Sequence, residues 1–591
     1  MADPYRNVNR IHTRMPDTVL ECVTPYIQDS RDRGAVSLVC KRWYQVDALT
    51  RKHVTVALCY ATTPRQLLRR FAYIESLKLK GKPRMAMFSL LPDDWGGYLT
   101  PWAEEIARSF PCLKELHFRR MIVQDSDLEL IARSRCKVLQ VVKLDNCSGF
   151  STDGLLHITR LCRSLKTLFL EDSTIVEKDS EWLHELALHN RELEELNFYM
   201  TDLSKVRCQD LELIAKNCCP FLRSLKVSDC DILDLVGFFR TATSLKEFGG
   251  GTYYSEPENY SVLAISQRLC SLGPTYLGKN EMPIMFPFAS LLKNLDLLYA
   301  LLDTEDHCRL IQRCPNLEVL QTRDVIADRG LEVLAHCCKQ LRSLRIERGA
   351  DEQGLNAEHG AVTHRGLIAL AHGCPELNYL AVYVTDITNA SLECIGTHCK
   401  NLCDFRLVLL DREEKITELP LDNGVRSLLI GCPKIRRFAL YLRPGGLTNA
   451  GLSYIGLYSK QVRWMLLGFV GESDEGLLEL SRGCPCLEKL ELRGCCFSEH
   501  ALATAVSQLT SLRYIWVQGY RATSTGLDLL AMTRQFLNIE LITSLGDVVS
   551  DPIGKVVQSP LQIFAYYSLA GQRTDCPDSI IPLDQNSRRP S

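Results

Sequence analysis

The sequence predicts an α/β fold: a short helical module followed by a long solenoid of strand–helix repeats. Three observations carry this: a leucine-spaced phrase that recurs along most of the chain, a glycine-leucine helix phrase that follows most copies of it, and an amphipathic N-terminal segment that matches neither.

The recurring phrase is clearest in the second half. CPNLEVLQT starts at Cys314, CKQLRSLRI at Cys338, CPELNYLAV at Cys374 and CKNLCDFRL at Cys399. CPKIRRFAL follows at Cys432, SKQVRWMLL at Ser459, CPCLEKLEL at Cys484 and LTSLRYIWV at Leu509, and earlier copies stand at Cys112, Cys136, Cys162, Asn190 and Cys219. Helix phrases such as DRGLEVLAHC and NAGLSYIGLY lie between them. A C-x-x-L-x-x-L-x-L strand followed by a helix, at a period of about 20–29 residues, is the pattern of leucine-rich repeats. No repeat covers its own apolar face, so neighbours stack and share one core, with strands on a concave wall and helices outside. Roughly 18 repeats fit between residue 70 and about residue 545, a horseshoe to near-ring. The expected division is residues 14–58 for the helical module, 59–545 for the solenoid and 546–591 for a C-terminal cap and polar tail.

Period-2 geometry assigns the strand faces. With the leucines inward, Lys78, His117, Lys143, Arg345, Arg406, Leu466 and Trp516 look onto the concave wall. One step further along each strand stand Lys80, Arg119, Tyr383, Tyr441 and Arg493. So many arginines, lysines and aromatics on one wall read as a binding surface. Two overlong repeats, holding GADEQGLNAEHGAV and LLDREEKITELPLDNG, and an irregular stretch, KGKPRMAMFSLLPDDWGGYLTP, are expected to be binding loops. Met85, Met87 and Phe88 are costly to leave in water.

The chain of 591 residues is 46% apolar and 24% charged, enough for a large core. A net charge of −2 argues against a general nucleic-acid or membrane coat. No signal peptide and no apolar run of about 18 residues is found, so a soluble intracellular protein is expected. The 26 cysteines lack the paired C-x₂-C frame of a zinc site and fall mostly at repeat anchors. They are expected to be reduced, buried and metal-free.

In the N-terminal segment, Pro16 leads a helix with Val19, Leu20, Val23 and Ile27 at helical spacing, and a second helix carries Ala35, Leu38, Val39 and Trp43 in an SLVCKRW phrase. This resembles an F-box, which implies docking of a Skp-type adaptor through Pro16, Leu20, Leu38, Val39 and Trp43, and through it the cullin and RING subunits of an SCF ubiquitin ligase.

The whole chain, from about residue 15 to Arg573, resembles the coronatine-insensitive family of plant jasmonate-receptor F-box proteins. SLKLKGKPR, MFSLLPDDWGGYLTPW, HFRRMIV, RIERGADEQG, DFRLVLLDREE, VRWMLLG, YIWVQGYRA and AYYSLAGQRTDCP carry the likeness. The auxin receptors share the architecture but not these phrases. The resemblance implies binding of jasmonoyl-isoleucine or coronatine and hormone-dependent capture of JAZ repressors for ubiquitination, in the nucleus and also the cytoplasm. It puts Arg84, Arg345 and Arg406 on the floor of a hormone pocket, where planar guanidinium forks suit a carboxylate. Tyr383 and Tyr441 act as hydroxyl donors, Phe88, Leu90, Leu466 and Trp516 as apolar walls, with Met85, Ala86 and Arg493 nearby. It also implies an inositol polyphosphate as structural cofactor on Lys78, Lys80, His117, Arg119, Arg120 and Arg342, a density of like charge that calls for a polyanion.

Catalysis is not expected: GxxxxGK[ST], HExxH and G-x-S-x-G at a strand-to-helix turn are all missing. Two rival readings share the scaffold, an auxin-type receptor and a ligand-independent repeat protein whose arginines serve protein contacts alone.

Overall fold

A computed structural model describes residues 16–583, apart from residues 28, 254, 350–360, 411–417, 522–528, 530–531, 533–534, 543–548, 551–555 and 558–561. The cores of the two overlong inserts, the start of the helical module at residues 14–15 and the tail from residue 584 therefore lie outside the described residues. Two compact units are present, one of Met1–Arg84 with Gly96–Leu222, the other of Met85–Trp95 with Arg223–Ser591.

The first unit opens with helices Asp17–Val23, Ser30–Val39 and Lys41–Thr50. The sequence suggested one helix through Ala35 and Trp43. The chain instead turns extended at Cys40 (φ −165°, ψ 171°), which puts Trp43 on a separate helix. Asp47, fully buried, binds these helices to the first repeat. Arg33 Nε lies 3.0 Å from its carboxylate, and Arg51 Nη2 and Arg70 Nη2 each lie 3.1 Å away, Arg70 reaching it from helix Pro64–Arg70. A buried acid is tolerable only when paired in this way. Parallel strands then follow in chain order, from His53–Val56 through Ser76–Lys80, Glu115–Arg119, Val141–Asp145 and Thr167–Phe169 to Glu195–Asn197.

In the second unit the parallel ladder runs from Ser224–Lys226 to Tyr514–Gln518. Between residues 257 and 291 the connections are short 3-10 turns, Pro257–Val262, Met282–Met285 and Ala289–Leu291, where the sequence lacks the helix phrase. The ladder ends in antiparallel strands: Gln562–Tyr567 pairs with both Tyr514–Gln518 and Leu537–Ile542, and the latter also takes Ile580–Leu583. The cap thus begins at Leu537, ahead of the boundary expected at residue 546.

The phrase residues do what their spacing implies. Leu344, Ile346, Leu380 and Leu407 are at most 2% exposed, each such side chain contributing about 1.5–3 kcal/mol by leaving water. Anchor cysteines form a ladder of their own, Cys338 Sγ donating to Cys314 O (3.3 Å), Cys374 Sγ to Cys338 O (3.5 Å) and Cys432 Sγ to Cys399 O (3.3 Å). Burial pushes the Cys314 thiol up to about 12 and those of Cys374 and Cys432 to about 11, so all three stay protonated at neutral pH.

Successive helices are joined by a recurring clamp. Asp328, in the first turn of one helix, accepts from Thr363 N (2.7 Å) and Thr363 Oγ1 (2.6 Å), and Thr363 Oγ1 in turn accepts from Arg365 N at the start of the next helix. Asp125 holds Ser151, Asp422 holds Thr448 and Asp474 holds Ser498 in the same way. The glycine of the helix phrase is required by this contact. A Cβ on Gly366 would stand 2.5 Å from Asp328 Oδ1, and one on Gly451 2.3 Å from Asp422 Oδ1.

Replacing Asp328 by Ala strips partners from Thr363 and Gly366 and should destabilise the protein by roughly 1.5–3 kcal/mol. Gly366→Ala should also destabilise, and the double variant should cost less than the sum, because the first change removes the nearest atom the second would strike and leaves only Leu331 Cδ1 closer than 3.0 Å. Denaturant midpoints measure this cycle; strict additivity would show that the two residues do not share a contact.

Candidate functional site

The strand register gathers the candidate side chains into rows. In the second unit one row runs Gln321, Arg345, Ala381, Arg406, Ala439, Leu466, Glu491, Trp516 across adjacent strands. The next runs Tyr383, Val408, Tyr441, Gly468, Arg493, Gln518. Neighbouring strands lie about 4.8 Å apart, so Arg345 and Arg406, on alternate strands either side of Ala381, stand about 10 Å apart at the backbone. Gly468 has a specific reason to be glycine: a Cβ there would stand 2.2 Å from Tyr441 Cδ2, the ring lying across it.

Arg406 is tied down rather than facing an open cavity. Its Nε and Nη2 donate to the two Asp404 oxygens at 2.9 and 2.8 Å, and its guanidinium lies 5.3 Å from the Tyr379 ring centroid and 5.2 Å from that of Trp464. Asp404 also meets Arg437 Nε at 3.4 Å. Arg345 donates to Glu347 Oε1 (2.6 Å) and Gln321 Oε1 (3.2 Å). Burial opposes the charge on both arginines, yet the carboxylate of Asp404 or Glu347 outweighs it and raises each above its ordinary value. A guanidinium has five N–H groups, so each pair leaves donors for a further anion. Arg493 sits 5.5 Å from the Tyr441 ring centroid, which packs edge-on against Phe469.

Sequence reasoning missed the row of Tyr379, Asp404, Arg437 and Trp464. Its signal was available, since each residue stands two positions before a member of the Arg345–Arg406 row and so on the same face. Trp516 was expected on the open wall, but it is only 3% exposed and donates to Gln562 Oε1 at 2.9 Å. The antiparallel cap strand, whose Phe564 pairs with Trp516 in register, buries it.

The stretch Met85–Trp95 belongs to this second unit and is anchored to the cap. Arg573 lies 4.4 Å from the Trp95 ring centroid, donates through Nη1 to Trp95 O, and pairs with buried Glu540 at 2.8 Å. Tyr566 Oη also donates to Glu540 (3.0 Å), and Trp95 packs edge-on against Phe564. Arg84, which belongs to the first unit, opens the 3-10 turn Arg84–Phe88. Met85 is buried, Ala86 and Leu90 are half-buried, and Met87 and Phe88 remain 48% and 52% exposed, despite the expectation that water would be costly for both.

A second set of rows lies in the first unit: Lys78, His117 and Lys143 in one, Lys80, Arg119 and Asp145 in the next. Asp145 is the internal counter-ion, 3.3 Å from His117 Nε2 and 3.2 Å from Arg119 Nε. Arg120, at φ 51°, turns its Nε to Lys82 O (2.8 Å). Burial, then Arg119, pushes Lys78 below the usual lysine value. The charged form is therefore penalised in the folded chain, a cost fully present at neutral pH and relieved as pH rises through the folded value. Arg342 belongs to the second unit, where its Nη1 lies 3.6 Å from Glu318, with the side chain 60% exposed.

On the N-terminal helices, Leu38 is 85% exposed and Val39 is exposed too, as an adaptor surface requires, while Trp43 is half-buried and Pro16 exposed. Leu20 is a correction. It is 5% exposed because its helix turns that side inward, and Val19, Val23 and Tyr26 stand exposed instead.

Residues 12–53 match the F-box family and residues 72–118 the transport inhibitor response 1 protein domain. The chain is 63% identical to coronatine-insensitive protein 1 of Arabidopsis thaliana, covering 96% of this chain and 97% of that one. It is 58% identical to coronatine-insensitive protein homolog 1b of Oryza sativa, covering 96% of each, and 35% identical to GRR1-like protein 1 of Arabidopsis thaliana, covering 97% and 98%.

The basic rows generate a prediction. Inositol hexakisphosphate, used as a probe polyanion, should raise the melting temperature of the wild-type protein, less so at high salt. Lys78→Ala combined with Lys80→Ala should abolish that rise; an equal rise in both proteins would place the anion elsewhere.

Proposed function

Because this chain belongs to the coronatine-insensitive family of F-box proteins, we propose that it is the substrate-recognition subunit of an SCF-type ubiquitin ligase and a co-receptor for jasmonoyl-isoleucine or coronatine. With hormone bound it captures JAZ repressors and presents them for ubiquitination and proteasomal degradation, which relieves repression of jasmonate-responsive defence and development. The work is recognition: the exposed face around Leu38 and Val39 takes the Skp-type adaptor, and ubiquitin transfer belongs to the cullin and RING partners. It acts in the nucleus, where transcriptional repressors reside, and also in the cytoplasm.

The observation that carries the reading is the pair of register rows. Arg345 and Arg406, separated by Ala381, offer spare guanidinium donors to a carboxylate, and Tyr383 and Tyr441, separated by Val408, stand one row on for carbonyl oxygens. Phe88, Leu90, Ala86 and Leu466 enclose the apolar ring of the hormone. Asp404 and Glu347 hold the arginines in place and share them with the ligand, so little reorganisation is needed on binding. The rows of Lys78 and Lys80 hold an inositol polyphosphate, whose charge offsets the penalty on Lys78. The auxin-type alternative shares the scaffold, but the relatives at 63% and 58% identity bear the coronatine-insensitive name.

A pull-down with a JAZ degron peptide tests this, using the chain purified with its adaptor. Capture should require jasmonoyl-isoleucine or coronatine and ignore auxin. Capture without hormone, or with auxin alone, would contradict the proposal.

A further inference from the structure

The helix layer of the second unit carries a donor set that neither the repeat pattern nor the hormone rows use. Cys394 and His398 stand four residues apart on helix Asn389–His398, so both project from one face, one turn apart. His372 comes from the last turn of the preceding repeat's helix, His364–Gly373. The His372 Nε2 to Cys394 Sγ distance is 3.5 Å, and the two imidazole centroids are 4.3 Å apart at 56°. A ligand atom from each of the three residues lies within 4.8 Å of the others.

We propose that His372, Cys394 and His398 form a site for a tetrahedral, borderline-soft transition-metal ion of the zinc class. Zinc–sulfur and zinc–nitrogen bonds of about 2.3 and 2.1 Å at tetrahedral angles require a sulfur–nitrogen edge of about 3.6 Å. The Cys394–His372 pair stands at that spacing. The donors also select the ion: one thiolate and two imidazoles suit zinc, whereas magnesium and calcium take oxygen ligands. Cys394 and His398 are half-buried and His372 is exposed, which leaves the fourth position to a water molecule. On binding, the Cys394 thiol gives its proton to solvent and the sulfur takes the metal.

Paired C-x₂-C spacing, the criterion that argued against zinc from sequence, does not reveal this site, because its ligands come from two successive repeats. Those repeats continue into strands Tyr379–Val384 and Asp404–Leu409, which carry Tyr383 and Arg406. The ion therefore staples the outer side of the two repeats whose inner strands carry those rows.

Cobalt(II) is the probe, added to the full chain purified with its adaptor under reducing, metal-free conditions. One equivalent should bind, with the visible d–d bands of tetrahedral cobalt and a thiolate-to-metal charge-transfer band, and zinc should displace it. Cys394→Ser should abolish the charge-transfer band. His372→Ala, a change at an exposed position that spares the fold, should weaken binding by about tenfold or more, since loss even of outer-shell partners costs that much. Absence of stoichiometric cobalt or zinc binding by the wild-type chain would overturn the proposal. So would spectra and affinity unchanged in both variants, which would place the ion on other cysteines such as exposed Cys219 or Cys486.

Discussion

A carboxylate in the first turn of one helix holds the hydroxyl that starts the next, and the spacing of the repeats follows from it. The Asp328–Thr363, Asp422–Thr448 and Asp474–Ser498 contacts satisfy helix N-termini that would otherwise leave amides without partners. Each also fixes one helix against its neighbour to within a hydrogen-bond length. Glycine in the helix phrase gives the carboxylate room, and anchor thiols bond carbonyls of the repeat before. With stagger fixed on the helix side, the strands have one available register. That register sets Arg345 in line with Ala381 and Arg406 rather than one residue out, which would turn every leucine to water.

Rows of this kind bring charge together, and each cluster carries its own acid. Asp404 binds Arg406 and Arg437, Glu347 binds Arg345, and Asp145 sits between His117 and Arg119. The acids keep like charges from splaying apart and lock side chains that would otherwise lose rotamer freedom on binding. Lys78 shows where this internal compensation falls short, its charged form still disfavoured by burial and by Arg119.

Much of this was legible in the sequence because the side-chain period of a strand is two and the repeat marks its phase. Lys78, His117, Arg345, Arg406, Tyr383, Tyr441 and Arg493 are each partly exposed directly after a buried apolar residue, as that period requires. What escaped depended on partners distant in the chain. Trp516 has the right phase, yet a returning strand beyond residue 560 covers it. Leu20 and Val19 are both apolar, and only the packing of three helices decides which of them turns inward. The break at Cys40 has no glycine or proline to announce it. His372, Cys394 and His398 are ordinary surface positions until two repeats stack.

The claim that the Arg345–Arg406 row reads the hormone's carboxylate is tested most directly with Arg406→Lys. Lysine keeps a positive charge opposite Asp404 but loses the planar fork. Hormone titrations of repressor capture, read beside melting curves, separate affinity from stability. The account predicts a melting temperature near that of wild type and a loss of roughly 1.5–3 kcal/mol in hormone-dependent capture, about tenfold or more. Wild-type hormone dependence in the lysine variant would contradict it.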